Sequence, residues 1–191
     1  DNIGITLFAG ETFTQCPLTV AHAVLLDMIH NIKCGLITDG TAVGMGIANA
    51  VTRLKDSKAK SKVIILLTDG TNNKGDISPM TAAEIAKSFG IRVYTIGVGT
   101  NGMAPYPYPV GNTVQYVSMP VEIDEKTLTE IAGTTDGNYF RATSNSKLKE
   151  VYEEIDKLEK TKLNVKEYSK GDEEYHWFAL AGFLCVLLEV L

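Results

Sequence analysis

Short apolar runs alternate with amphipathic stretches along this chain. Runs at 3–8, 63–67, 91–98 and 138–141 predict strands, and 163–165 predicts a short final one. Apolar residues at helical spacing predict helices over about 42–54, 79–89, 124–132 and 145–160. A further helix, capped by Thr19 and ending near Asn31, would turn Ala23, Leu26, Met28 and Ile29 inward. This alternation predicts an α/β fold with an open, mostly parallel sheet and helices on both faces.

The apolar run 64–67 leads directly into Thr68, Asp69 and Gly70. A strand this apolar is buried on both faces, as in parallel sheets that are covered by helices. Ligands of such sheets bind just beyond the carboxyl ends of the strands. Asp69 is therefore a candidate site residue, and a hard cation is the obvious partner of its carboxylate. The alternative is that Asp69 only caps the turn at 70–73.

A second candidate lies in Thr38-Asp39-Gly40-Thr41, where a helix is predicted to start. Thr41 is a natural N-cap for a helix that begins at Ala42. Its hydroxyl could instead face a cation on the carboxyl side of the sheet. One hydroxyl and one carboxylate suit Mg²⁺, which keeps several waters and needs few protein carboxylates. Such a site can also accept a carboxylate from a partner.

Charge and motifs exclude several function classes. The chain has 191 residues and a net charge of −5, which argues against nucleic acid as a partner because phosphate binding needs a basic surface. Gly44-x-Gly46 does not complete a dinucleotide fingerprint, since Asn49 occupies the sixth position, and it predicts close helix packing instead. Phosphate-loop and nucleophile-elbow motifs are absent from the sequence. Cys16 and Cys34 either pair or are small buried hydrophobes.

Two segments near the end of the chain differ from the rest in composition. Residues 99–122 predict a long loop in which Tyr106 and Tyr108 alternate with prolines; it either faces a partner or is a flexible connection. Residues 176–191 are almost wholly apolar and follow a charged stretch. We expect a stalk at 166–175 and the start of a transmembrane helix at 176–191. A buried or amphipathic helix is the alternative.

At Thr41 and at Asp69-Gly70 the sequence resembles a von Willebrand factor A (VWA) domain, over about residues 1–165. The metal-ion-dependent adhesion site of that family joins three loops. One carries Asp-x-Ser-x-Ser after the first, central strand; the second carries a threonine that matches Thr41; the third carries an aspartate and glycine that match Asp69 and Gly70. The resemblance implies a Rossmann-like fold and Mg²⁺, Mn²⁺ or Ca²⁺ at Thr41 and Asp69, with support from Asp39, Gly40 and Gly70.

The chain departs from this family pattern because it contains no Asp-x-Ser-x-Ser. Residues 3–8 match the second strand of the family, so the first, central strand is expected to lie before Asp1. Thr41 and Asp69 alone are not expected to hold Mg²⁺ tightly, and we predict that Mg²⁺ binding by this fragment is negligible and weaker than micromolar. Loss of a central strand leaves two unpaired strand edges. These would close through a homo-oligomer, a swapped assembly or a rearranged sheet.

Residues 8–11, 16–19 and 92–99 are similar to the bacterial BatA and BatB proteins, which are membrane-anchored proteins of the Bacteroides aerotolerance type. The resemblance implies a non-enzymatic, metal-dependent protein-binding module on the periplasmic side of the inner membrane. Its partners would be a protein that supplies an Asp or Glu, other Bat-type proteins and a MoxR-type ATPase. The alternatives are a structural scaffold without a working metal site and, at much lower weight, a Mg²⁺-dependent phosphoryl-transfer enzyme that uses Asp69.

Overall fold

The computed structural model describes residues 1–33, 35, 37–99, 102–110, 113–121 and 123–168. Its strands are β1 (Ile3–Phe8), β2 (Thr12–Thr19), β3 (Lys62–Thr68), β4 (Ile91–Val98), β5 (Gly102–Val110), β6 (Thr113–Val121) and β7 (Tyr139–Ala142). Its helices are α1 (His22–His30), α2 (Val43–Leu54), α3 (Pro79–Ser88), α4 (Glu125–Thr134) and α5 (Asn145–Tyr168). The chain divides into two compact units, Asp1–Ile155 and Asp156–Leu191.

Strands β3, β4 and β7 form a parallel sheet in that order. β4 is the central strand and is almost entirely buried, as its continuous apolar sequence predicts. The register places Thr68 beside Gly97, and Gly97 beside Arg141. The carboxyl ends of all three strands therefore meet at one edge, which Asp69 follows directly. The predicted α/β class and the predicted strands 3–8, 63–67, 91–98 and 138–141 are confirmed.

Strands β1 and β2 form a separate antiparallel sheet. β2 was not expected from the hydrophobic pattern. The sheet is tied to α2 by the side chain of Asn49, which accepts a hydrogen bond from Thr14 at 2.9 Å and donates one to Thr12 at 3.2 Å. The ring of Phe8 packs against Gly46 so closely that a Cβ there would lie 2.9 Å from it. The small residues of α2 thus serve close packing, as predicted, rather than nucleotide binding.

The sheet is interrupted between β1 and β3. Helix α2 packs against β1, β2 and β3, and so spans both parts. Among the described residues no strand joins β1 to β3. The expectation that the first, central strand of the resembled family lies before Asp1 stays a prediction.

The hydrophobic core lies between the parallel sheet and helices α2, α3 and α4. α2 contributes Val43, Ile47 and Val51, at the spacing that its sequence predicts. α3 contributes three fully buried alanines, which let it pack closely on α2 and β4. The core residues from the other elements are Ile64, Leu66, Ile91, Val93, Leu128 and Ile131.

The helix ends are set largely by local chemistry. Ser78 caps α3 ahead of Pro79, and Gly90 follows the C-cap residue Phe89 with φ +64°, a left-handed conformation that favours glycine after a helix. Asp124 caps α4 by accepting a hydrogen bond from the Thr127 amide at 3.0 Å. Hydrogen bonds with Thr127, which stabilise the charged form, lower the pKa of Asp124 below its ordinary value.

Four predicted features of the secondary structure are wrong. In α1 only Leu25 is buried, while Ala23, Leu26 and Ile29 are exposed and Met28 is half-buried, because the main packing partner of the helix among the described elements is the narrow β1–β2 sheet. Its N-cap is Ala21, although Thr19 does accept a hydrogen bond from the Ala21 amide. The expected loop at 99–122 contains the antiparallel hairpin β5–β6, so Tyr106 and Tyr108 lie on a strand. Residues 163–165 belong to α5 instead of a strand.

The remaining expectations concern the cysteines and the end of the chain. Cys16 is a free thiol with an exposed fraction of 3%, whereas Cys34 lies outside the described residues. The predicted transmembrane segment 176–191 and most of the stalk at 166–175 also lie outside them. Within the part of the chain that the structure describes, no helix is long and apolar enough to cross a membrane.

Candidate functional site

Three loops meet at the carboxyl edge of the parallel sheet. They are the turn after β1 at 9–11, the segment 38–42 before α2, and the loop 69–75 after β3. The Ala42 amide donates to the Ala9 carbonyl at 2.7 Å, and the Gly10 amide donates to the Thr38 carbonyl at 2.7 Å. The amides of Asn73 and Lys74 both donate to the Thr41 carbonyl, at 3.0 and 3.3 Å. The sequence elements that carry Thr41 and Asp69 are therefore joined through their backbones.

The structure brings Thr41 and the Asp69-Gly70 pair together. The Thr41 hydroxyl oxygen lies 3.2 Å from the position that a Cβ on Gly70 would occupy. Asp69, next along the chain, is exposed, and its carboxylate accepts no hydrogen bond from any residue the structure describes. Thr68, by contrast, is buried and exchanges hydrogen bonds with the Gly70 backbone. The alternative in which Asp69 caps its own turn thus finds no hydrogen bond to support it.

Thr41 does not cap α2. The helix begins at Val43, its N-cap residue is Ala42, and Ala42 provides no side-chain cap. The Val43 amide instead donates to the side-chain oxygen of Asn72 at 2.9 Å. The capping interaction is therefore made by a residue from another loop, and the Thr41 hydroxyl is left free of any hydrogen bond among the described residues.

The loop after β3 is locked onto the start of α2 by two asparagines. Asn72 accepts from the Val43 amide, and Asn73 accepts from the Thr41 amide at 2.8 Å. These bonds satisfy amides at a helix start, where intrahelical partners are missing. They also fix the position of Gly70 relative to Thr41. The hydrophobic pattern did not predict that Asn72 and Asn73 bind these amides. The sequence feature that could have indicated it is the pair of adjacent asparagines shortly after Asp69-Gly70, since asparagine side chains often bind backbone groups in loops.

Glycine is required at position 40. Gly40 has φ +137°, and a Cβ there would lie 2.5 Å from the Cγ of Lys74 and 3.1 Å from the Cα of Gly10. The aliphatic part of the Lys74 side chain thus packs against Gly40. Lys74 is a cationic residue beside the candidate site, and the sequence did not predict its position. Asp39 is exposed, and its backbone approaches Gly10. The predicted supporting residues Asp39, Gly40 and Gly70 all lie in these loops.

The neighbouring side of the edge is closed by an ion pair. Arg141 contacts the Glu125 carboxylate at 2.6 Å and donates to the Gly99 carbonyl at 3.1 Å. The hydroxyl of Tyr139 is buried beside Gly97 without a hydrogen-bond partner in the described structure, and burial raises its pKa. Because Arg141 is engaged with Glu125, it does not serve as a free anion-binding group next to Asp69.

Tyr106 and Tyr108 are not placed at this edge. Both lie in β5, whose backbone is described but whose side chains are not. Their predicted partner-facing role remains a prediction.

The two donors at this edge, the Asp69 carboxylate and the Thr41 hydroxyl, are of the chemical type that a hard cation binds, but they are too few to hold one by themselves. A carboxylate and a hydroxyl are oxygen ligands, which Mg²⁺, Mn²⁺ and Ca²⁺ prefer to nitrogen or sulfur. Within the described residues, no group of three or more His, Cys, Asp or Glu could hold a metal ion. Thr41 and Asp69 thus offer two oxygen donors at this edge, fewer than a hard cation takes.

Residues 1–154 match the model of the von Willebrand factor type A domain. The chain belongs to this family. Two similar solved structures come from Bacteroides. BatB from Bacteroides thetaiotaomicron is 32% identical, with a TM-score of 0.69 over 84% of this chain and 80% of that one. An aerotolerance-related membrane protein from Bacteroides fragilis is 30% identical, with a TM-score of 0.67 over 82% and 80%.

A more distant VWA structure bears directly on the site. Proximal thread matrix protein 1 from the mussel byssus, solved with a zinc-occupied MIDAS motif, is 26% identical, with a TM-score of 0.61 over 82% of this chain and 34% of that one. That mussel protein therefore holds zinc in a MIDAS motif. The chain spans about half the length of the curated relatives it matches; it covers 55% of a Borreliella burgdorferi protein that is 25% identical to it over 189 residues.

Proposed function

We propose that this VWA chain is a protein-interaction module in which Thr41 and Asp69 contribute to a metal site that binds a carboxylate of a partner protein. One observation carries the proposal: the Thr41 hydroxyl lies against Gly70, the residue that follows the exposed Asp69, and neither the Thr41 nor the Asp69 side chain has a hydrogen-bond partner among the described residues. Two oxygen donors with unused coordinating capacity are what a bridging Mg²⁺ needs from one side.

The likeness to BatB and to the aerotolerance-related membrane protein supports a Bat-type role. We infer a membrane-anchored protein of the bacterial inner membrane with its VWA domain in the periplasm. We further propose that it works without enzymatic activity. Its proposed partners are other Bat-type proteins, a MoxR-type ATPase and a protein that offers an Asp or Glu to the metal. The scaffold alternative keeps the fold and the partners but removes the metal bridge.

Paramagnetic broadening by Mn²⁺ tests the half-site directly. Titration of ¹⁵N-labelled chain with Mn²⁺ should first broaden the amide signals of 39–41 and 69–71, even if binding is weaker than micromolar. The Asp69→Asn variant should lose this broadening. Asp56→Asn is the matched control, because Asp56 is also exposed but precedes β3, at the opposite end of that strand. Broadening that is unchanged in Asp69→Asn would contradict metal binding at this edge.

Partner capture separates the metal bridge from the scaffold. Membrane extracts of the source cells are passed over immobilised chain in Mg²⁺ and in EDTA, and bound proteins are identified by mass spectrometry. The metal bridge predicts a set of proteins that EDTA, Thr41→Val and Asp69→Asn all release and that Asp56→Asn retains. Capture that is insensitive to all three changes supports the scaffold instead.

A further inference from the structure

Four prolines fix the hydrogen-bonding phase of the β5–β6 hairpin. The pairs that contain a proline are Met103 with Pro120, Pro105 with Ser118, Pro107 with Tyr116 and Pro109 with Val114. In an antiparallel ladder, pairs that exchange two hydrogen bonds alternate with pairs that exchange none. Proline has no N–H to exchange, and all four prolines share one phase. These four pairs are therefore the non-exchanging ones, and their backbone groups point away from the hairpin.

This phase makes the two outer edges of the hairpin unequal. The outer edge of β5 presents Pro105, Pro107 and Pro109, which cannot donate. The outer edge of β6 presents Val114, Tyr116 and Ser118, whose backbone N–H and C=O groups point outward and are not used within the hairpin. The last residue of this phase, Pro120, has no N–H to donate. The hairpin thus has one edge that can add a strand and one that cannot.

The open edge is also exposed and uncharged. Side chains 113–118 are all exposed, with fractions of 71% for Tyr116 and 58% for Val114. Neither β5 nor β6 carries a charged residue, although 21% of the chain is Asp, Glu, Lys or Arg. In the described structure β6 pairs with β5 alone. Natural edge strands are usually protected by charges, prolines or bulges, and β6 has only its terminal proline.

We propose that the β6 edge pairs antiparallel with β6 of a second copy of this chain. A twofold axis at Tyr116 pairs Tyr116 of one chain with Tyr116 of the other, and pairs Val114 of each chain with Ser118 of the other. All three free donors are then used, which gives about six backbone hydrogen bonds. An axis at Val117 would instead place Val114 opposite Pro120, where no donor exists, and is therefore disfavoured.

The same features identify a second copy as the occupant. An uncharged edge gives no electrostatic preference for an acidic or basic partner strand, and pairing with itself brings no like charges together. The four-stranded product would end in proline-blocked β5 on both sides, so association closes at two copies. The contact is smaller than a standard interface of about 1,600 Å², and we expect a dissociation constant of tens to hundreds of micromolar.

Sedimentation equilibrium of the full chain in a density-matched non-ionic detergent tests the pairing. The chain should show a concentration-dependent dimer. Tyr116→Pro removes the central donor at a position whose phase already accepts proline, and should weaken dimerisation at least tenfold. Tyr116→Thr removes the ring but keeps the N–H, and should retain most of the dimer. A monomer at several hundred micromolar, or equal association of the chain and Tyr116→Pro, would overturn the proposal.

Two further variants test register and closure. Tyr116→Cys should form a disulfide dimer on mild oxidation, since exchanging pairs hold their Cα atoms about 5.5 Å apart, within disulfide range. Phe13→Cys, exposed at 55% on β2, is the control and should not. Replacing Pro105, Pro107 and Pro109 by Thr opens the β5 edge and should yield species larger than a dimer. Equal cross-linking at both cysteines, or a triple variant no larger than a dimer, would refute this geometry. Far-UV circular dichroism confirms that each variant is folded.

Discussion

Replacing Gly44 by alanine should destabilise the protein, although the same change usually stabilises a helix. Gly44 lies in the first turn of α2, where a Cβ would be 2.1 Å from the Ile77 carbonyl oxygen and 2.8 Å from the Ser78 carbonyl carbon. Both neighbours are backbone atoms and cannot move aside by a change of rotamer. The backbone at 77–78 would have to retreat by about 1 Å or more to reach an ordinary contact distance.

The expected magnitude follows from two opposing effects. Overpacking of this kind costs about 3 kcal/mol, at the upper end of the usual range. Alanine is favoured over glycine in a helix by up to about 1 kcal/mol. The net loss in the free energy of unfolding is therefore about 2 kcal/mol, which corresponds to a melting temperature lower by about 4–8 °C for a domain of this size.

Gly133 provides the matched control. It lies in α4, is exposed, and has nothing within 4 Å of the position of an added Cβ. Gly133→Ala should therefore raise the free energy of unfolding by up to about 1 kcal/mol. Urea unfolding of the chain and both variants, followed by far-UV circular dichroism, gives the comparison. A Gly44→Ala variant as stable as the unsubstituted chain would show that α2 does not depend on this close approach to the segment before α3.

Three more substitutions probe the loops and the core by urea unfolding. Asn72→Ala should cost about 1 kcal/mol, because the Val43 amide loses its cap, and Asn72→Asp, which keeps an acceptor oxygen, should recover most of it. Asp124→Asn keeps a capping oxygen but cannot ionise. Because the pKa of Asp124 is lowered in the folded state, its charge contributes stability that is complete above pH about 4 and is lost as the pH falls through the folded pKa. The Asp124→Asn variant should therefore lose less stability on acidification than the unsubstituted chain. Thr135→Val should cost about 1–3 kcal/mol, since the buried Val93 amide would lose its 3.0 Å acceptor; a loss below about 0.5 kcal/mol would contradict this role.

The parallel sheet was predictable because β3 and β4 are largely apolar runs, of which β4 is almost entirely buried. The bounds of β1 and β4 were predicted to the residue for the same reason. β2 was missed because its sequence, TFTQCPLT, mixes polar and apolar positions and contains Pro17. The β5–β6 hairpin was missed because prolines normally argue against a strand, and only their shared phase makes them compatible with one.

The two corners of the candidate site were predictable for a different reason. Asp69 follows an apolar strand and Thr41 precedes a helix, so each position could be inferred from local pattern. The prediction that this strand is buried on both faces is wrong, because Ile64 and Leu66 are buried whereas Ile65 is exposed. The residues that hold them together could not. Asn72 and Asn73 act on backbone amides 29 and 32 residues away, and such side-chain-to-backbone contacts leave no periodic signal in the sequence.

The arrangement at Thr41 and Asp69 does not depend on a continuous sheet. Their relative position is held by the Asn72 and Asn73 bonds to the start of α2 and by the backbone bonds from 73 and 74 to the Thr41 carbonyl. All of these contacts lie within residues 41–74, whereas the interruption lies between β1 and β3. α2 packs on both sides of that interruption, so its N-terminus stays fixed without a strand between them. The backbone at Thr41 and at the loop after β3 is therefore held by contacts within residues 41–74, which is the advance organisation that the proposed metal site needs.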